Sequence, residues 1–146
     1  MLADDDKDDS ILFQDILEEL PLSTHLTMVS NGEKLMQLLN QMNDKLPDVL
    51  FLDLNMPRKN GYDCLLEIKS SEKLKSLSVI IFSTAFEPQV VNILYEKGAQ
   101  YYIRKSNSYM QLKNLIHQAL ILTANTNIEY PPQEKFVLSS QPVYQR

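Results

Sequence analysis

The stretch Val49-Leu50-Phe51-Leu52-Asp53-Leu54-Asn55-Met56-Pro57 decides the fold. Four apolar residues bounded by polar turn residues read as a strand buried on both faces, the pattern of a parallel sheet lying between helical layers. Asp53 ends that run. An ionised carboxylate at the edge of a core loses hydration unless something pairs with it. The carboxyl end of a strand is also where open α/β sheets build their sites. The reading turns on what the rest of the chain can bring to Asp53.

Outward from this strand, helical and extended patterns alternate. Ser10 to Leu20 carries Ile11, Leu12, Phe13, Ile16 and Leu17 at helical spacing and stops at Pro21. Thr24 to Val29 is β-rich. Ser30 with Glu33 predicts a capping box for a helix bearing Leu35, Leu38, Leu39 and Met42, closed by Pro47. A helix near Gly61 to Ser70 buries Leu65, Leu66 and Ile68, and Val79 to Phe82 is a second buried strand. Pro88 suits the first turn of a helix through Val91 and Leu94, with Gly98 at its carboxyl end. Tyr101-Tyr102-Ile103 is the last strand, the two tyrosines facing opposite ways. Leu112, Leu115, Ile116, Ala119 and Leu120 mark the last helix. Such alternation implies right-handed βαβ units and a doubly wound parallel sheet, the α/β class.

The ends depart from this rhythm. Only Met1-Leu2-Ala3 precede the acids, so the first strand is expected to be short, as in a chain clipped or lacking its native start. Residues 1–124 read as one domain and 125–146 as a polar tail with Pro131, Pro132 and Pro142, flexible by composition. Phe136-Val137-Leu138 and Tyr144 are its anchors if it docks on this domain or a partner's.

With 146 residues, 44% hydrophobic and 23% charged, the chain suits one globular domain with a real core. No apolar run approaches the roughly 20 residues of a membrane span, and no secretory leader opens it. The single cysteine, Cys64, excludes an internal disulfide and fits a reducing compartment, so cytoplasm is expected. The net charge of −5 is concentrated at the start, where Asp4, Asp5, Asp6, Asp8 and Asp9 face only Lys7. No basic stripe for nucleic acid exists.

Several strand ends hold polar groups: Asp4 and Asp5 after the first, Asp53 after the third, Thr84 after the fourth and Lys105 after the fifth. In a doubly wound sheet these converge on one crevice. Three carboxylates there repel one another unless a divalent cation neutralises them, and Mg²⁺ suits an oxygen-only site. A hydroxyl and an ammonium opposite the metal complete a clamp for a phosphoryl group, with Asp53 as nucleophile.

On these residues the chain resembles the receiver domain of two-component response regulators. The likeness runs from about Leu2 to Leu122 through Ala3-Asp4-Asp5, Leu52-Asp53-Leu54-Asn55-Met56-Pro57 with Gly61, Ser83-Thr84-Ala85 and Arg104-Lys105. The resemblance implies a five-stranded sheet in the order 2-1-3-4-5 with five helices. It implies that Asp53 takes a phosphoryl group from a sensor histidine kinase or a histidine phosphotransfer protein. Asp5, Asp53 and the backbone carbonyl of Asn55 would ligate Mg²⁺, with Asp4 acting through water. Lys105 would pair with the carboxylate and then the phosphoryl. Thr84 would move to the phosphoryl while Tyr102 swings inward, remodelling a surface read by a downstream protein or by a second copy in a homodimer. Where the family usually has proline after the lysine, Ser106 stands, and a trans Lys105–Ser106 bond is expected. Lys-Ser there resembles the small stand-alone receivers that work with bacteriophytochrome kinases. Phe86, two positions beyond Thr84, is placed to shield a phosphoryl from water.

Two other functions compete. A haloacid dehalogenase-like phosphohydrolase also uses an Asp nucleophile, Mg²⁺, Thr and Lys, but wants an acid two residues after the nucleophile, where Asn55 cannot exchange the proton. A pseudo-receiver that only binds partners would not need the full set of side chains found here. The expected module is therefore a switch rather than a turnover enzyme.

Overall fold

The computed structural model describes residues 1–43, 45–125 and 130–139. Five strands, β1 (Leu2–Ala3), β2 (Met28–Val29), β3 (Val49–Leu52), β4 (Ser78–Ser83) and β5 (Tyr101–Arg104), form one parallel sheet in the order β2-β1-β3-β4-β5. Five helices connect and cover them: α1 (Lys7–Glu19), α2 (Gly32–Gln41), α3 (Gly61–Ser70), α4 (Pro88–Glu96) and α5 (Tyr109–Ala124). Both the class and the strand order are those expected. Among the described residues no helix is long and apolar enough to cross a membrane.

The period-two alternation of the strands divides the core into two layers. Leu50, Leu52, Val79, Ile81 and Tyr102 face α2, α3 and α4. Leu2, Phe51, Ile80, Phe82, Tyr101 and Ile103 face α1 and α5. Tyr101 and Tyr102 thus point to opposite layers. In the second layer Phe13, Phe51 and Phe82 meet edge-to-face, with ring centroids 4.8 to 6.4 Å apart.

Local boundaries correct the sequence reading in four places. First, α1 begins at Lys7 rather than Ser10, because the Asp6 side chain accepts from Asp9 N–H and caps the helix. Asp8 and Asp9 then occupy the first turn, where the helix dipole favours acids. Second, β2 is only Met28–Val29, since its ladder partner β1 offers just two residues, Leu2 opposite Met28 and Ala3 opposite Val29. Third, the cap of α2 is Asn31, whose side chain accepts from Lys34 N–H, rather than Ser30 with Glu33. Fourth, α2 stops at Gln41, well before Pro47, where Met42 turns extended. Elsewhere Pro88 does open α4, and Gly98 follows its end at φ +106°, the left-handed conformation that favours glycine.

The described part of the 125–146 segment docks on the domain. Residues Gln133–Lys135 form a 3₁₀ turn, and Val137 bridges Tyr102 in parallel at the outer edge of β5. Phe136 and Leu138 are buried; the expectation for Tyr144 falls outside the described residues.

Candidate functional site

Three carboxylates meet at the carboxyl ends of β1 and β3. One oxygen from each of Asp4, Asp5 and Asp53 lies within 4.8 Å of the others. Register produces this: Ala3 pairs with Leu52, so the residues that follow emerge at one level, and Asp53 N–H donates to the Ala3 carbonyl at 2.9 Å. Asp4 and Asp53 are buried, while Asp5 is exposed. The loop after Asp53 is held tightly against it. Gly61 N–H donates to the Leu54 carbonyl at 2.9 Å, and a Cβ on Gly61 would stand 2.1 Å from the Asp53 carbonyl oxygen. Only glycine permits that approach.

Lys105 enters from β5. Ser83 pairs with Arg104, and Lys105 N–H donates to the Ser83 carbonyl at 2.9 Å. Its ammonium donates to Asp4 Oδ2 and Asp9 Oδ2 at 2.8 Å each and lies 3.7 Å from Asp53 Oδ2. Asp4 Oδ1 accepts from Asp6 N–H at 2.9 Å, so both Asp4 oxygens are engaged within the protein.

The electrostatics follow from burial and crowding. Burial pushes the Asp53 carboxyl up from its ordinary 3.8, the Asp4 carboxylate adds to the rise, and the Lys105 charge and the Asn55 N–H oppose it. The result is about 7. For Lys105, burial alone would lower the pKa. Hydrogen bonds to Asp4 and Asp9, with the Asp53 charge, outweigh it and raise the ammonium to about 12. A hard, oxygen-only donor set of three close carboxyl groups, one of them raised mainly by burial, fits a divalent cation, which would supply the missing positive charge.

The structure thus brings together Asp4, Asp5, Asp53 and Lys105. Asn55 lies two residues on, its backbone N–H toward the Asp53 carboxylate. Thr84 follows β4 at the level of Lys105 but is exposed, and among the described residues no hydrogen bond joins it to the acids. Tyr102 is fully buried, with its hydroxyl donating to the Ala85 carbonyl, so its ring already points inward. Phe86 packs edge-on to Tyr102 at 5.8 Å and under the Arg104 guanidinium at 5.2 Å. The described residues contain no cis peptide bond, so Lys105–Ser106 is trans as expected.

The residue that sequence reasoning missed is Asp9. In the sequence it reads only as one of the acids that open an amphipathic helix and give context for a cation, not as a site residue. Its cue was its place three residues after the capping Asp6, which turns it toward the end of β5.

The sequence profile of the response regulator receiver domain matches residues 1–117. Response regulator Rcp1 of Synechocystis sp. is 31% identical over 120 residues, covering 80% of this chain and 82% of that protein. Its solved Mn²⁺-bound form superimposes with a TM-score of 0.71 at 28% identity, over 90% of this chain and 96% of that one. The phosphorylated cyanobacterial phytochrome response regulator RcpA gives a TM-score of 0.78 at 30% identity, over 90% and 96% of the two chains. The bacteriophytochrome response regulator RtBRR gives 0.69 at 29% identity, over 90% and 82%. Proteins of this family are signalling receivers rather than enzymes, and sensor histidine kinases phosphorylate them. Fold, acidic crevice and sequence agree: this chain belongs to the response regulator receiver domain family.

Proposed function

We propose that Asp53 is the phosphoacceptor of a cytoplasmic two-component relay, and that residues 1–124 are the receiver unit. The observation that carries this reading is the convergence of Asp4, Asp5 and Asp53 within 4.8 Å, with Lys105 beside them. An Asp53 oxygen attacks the phosphorus of a phosphohistidine on a sensor kinase or phosphotransfer protein. The P–N bond breaks, its electron pair stays on the imidazole nitrogen, which takes up a proton, and an acyl phosphate remains on Asp53. Asp5, Asp53 and the Asn55 carbonyl would hold Mg²⁺, and Asp4, with both oxygens engaged, would act through water. Mg²⁺ supplies charge neutralisation for the incoming phosphoryl oxygens. Lys105 neutralises a further oxygen, and the Thr84 hydroxyl donates to another. With Asn55 rather than an acid beyond the nucleophile, the group is stored rather than turned over.

The test treats the protein and an Asp53→Asn variant with acetyl phosphate and Mg²⁺ and weighs both intact. A single phosphoryl adduct on the wild type alone is expected. No adduct would mean a pseudo-receiver, and rapid turnover of many phosphate esters would mean a hydrolase.

A further inference from the structure

We propose that Asp9 is a positioning residue for phosphoryl transfer: from α1 it holds the Lys105 ammonium off Asp53, so that the nucleophile stays open and one N–H is kept for the incoming phosphoryl group. The inference rests on the reading of Asp53 as phosphoacceptor.

An ammonium has three N–H donors. At Lys105 two of them are engaged at 2.8 Å, on Asp4 Oδ2 and Asp9 Oδ2. Asp53 Oδ2 stands 3.7 Å away, beyond hydrogen-bond reach. The Phe82 ring centroid lies 5.1 Å from the same nitrogen. Asp9 is itself fixed, because its N–H donates to the capping Asp6 Oδ1 at 3.0 Å, and Asp6 N–H donates to Asp4 Oδ1 at 2.9 Å. Asp4, Asp6, Asp9 and Lys105 thus close a circuit that anchors the ammonium without using Asp53.

That arrangement matters for the reaction. A contact speeds a step only as far as it is stronger in the transition state than in the ground state. An N–H already bonded to Asp53 would draw electron density from the attacking oxygen and would have to be given up during transfer. An N–H withheld from the carboxylate is engaged first by the phosphoryl oxygens as charge develops on them. Without Asp9 one donor loses its acceptor, and Asp53 Oδ2 is the other carboxylate oxygen beside the ammonium. Closing that gap recovers only part of the lost bond, and it blocks the nucleophile.

Two measurements on the full chain test this. In the metal-free protein, NMR scalar couplings across hydrogen bonds from Lys105 Nζ should reach the carboxylate carbons of Asp4 and Asp9. In Asp9→Ala a coupling to the Asp53 carboxylate carbon should appear. With acetyl phosphate and Mg²⁺, followed by intact mass, Asp9→Ala should lower the maximal labelling rate about tenfold, less than outright loss of a transition-state donor. The half-saturating acetyl phosphate concentration should stay within about twofold, since the contact is made in the transition state. Asp9→Asn loses the same charge but keeps an acceptor oxygen, and should recover the rate to within about threefold of wild type. If Asp9→Ala fails to fold, Asp9→Leu, close in shape and without an acceptor, takes its place in both measurements. On a Lys105→Ala background, removing Asp9 should change the rate by less than about twofold, because Asp9 acts through the ammonium. Wild type and Asp9→Ala labelled equally fast, or Asp9→Ala and Asp9→Asn equally slow, would overturn the inference alone. A wild type that gains no adduct overturns the phosphoacceptor reading and the inference with it.

Discussion

At Lys105 three carboxylates share one ammonium, Asp4 and Asp9 at 2.8 Å and Asp53 at 3.7 Å. Asp9 holds the ammonium from the α1 side, so its loss leaves one proton of a nearly buried cation without an acceptor. Asp9→Ala is expected to lower the unfolding free energy by about 1–2 kcal/mol, the lower range for charge-assisted hydrogen bonds because Asp9 is partly exposed. Urea titration measures it, and an unchanged midpoint would mean that Asp4 alone fixes Lys105. Asp53 makes the opposite contribution. Its carboxyl rises from 3.8 to about 7 on folding, so between those values the folded protein keeps a proton that the unfolded chain has lost. Stability of the metal-free protein must therefore fall as pH rises through that window, by on the order of 4 kcal/mol. Urea midpoints from pH 4 to 8 should show this slope in the wild type and lose it in Asp53→Asn. Asp4, Asp5, Asp53 and Lys105 were legible in sequence because each ends an apolar strand run. Asp9 was not, because its partner lies 96 residues away and only the phase of α1 brings them together.

The loop from β3 to α3 carries the next level of control. Arg58 sits at φ +69°, a left-handed conformation that costs a side-chain-bearing residue roughly 1–2 kcal/mol. Three residues on, Gly61 lets α3 start against the backbone of Asp53 itself. A Gly61→Ala methyl would meet carbonyl oxygen rather than a movable side chain, so the loop must shift. The expected cost is about 1–3 kcal/mol, typical of overpacking. Because the shift falls at Asp53, labelling by acetyl phosphate should also slow. Thermal unfolding and intact mass together test this, and a variant as stable and as readily labelled as the wild type would refute it. Elements with long apolar runs, β3 and β4, were legible from sequence to within a residue or two. The β2 region was not, since its β-rich residues reach further than the two-residue β1 that must pair with them. The cap of α2 was misread by one position because Ser30 and Asn31 are both able caps, and only the chain path chooses between them.

At the scale of the molecule, the sheet order is what makes these residues one site, because β1 and β3 are neighbours while β2 and β5 lie at the edges. That order was legible through the family resemblance and the alternation of elements. The seat of residues 136–138 at the β5 edge was legible only as an alternative, Phe136-Val137-Leu138 reading as docking anchors, because the segment's polar, Pro-bearing composition favoured a flexible tail. The same arrangement predicts that metal stabilises the whole fold. A cation binding the assembled carboxylates has no such site in the unfolded chain, so it stabilises by mass action, about 2.7 kcal/mol at a hundredfold excess over its dissociation constant. Protons compete for Asp53, whose carboxyl titrates near pH 7. Mg²⁺ should therefore raise the melting temperature more at pH 8 than at pH 6, and chelation with EDTA should reverse the gain. Asp53→Asn should flatten this pH dependence, since the competing proton site is gone. An equal gain at both pH values in the wild type would place the ion away from Asp53. Melting curves in matched buffers of constant ionic strength separate that outcome from general screening of the acidic amino-terminal turn.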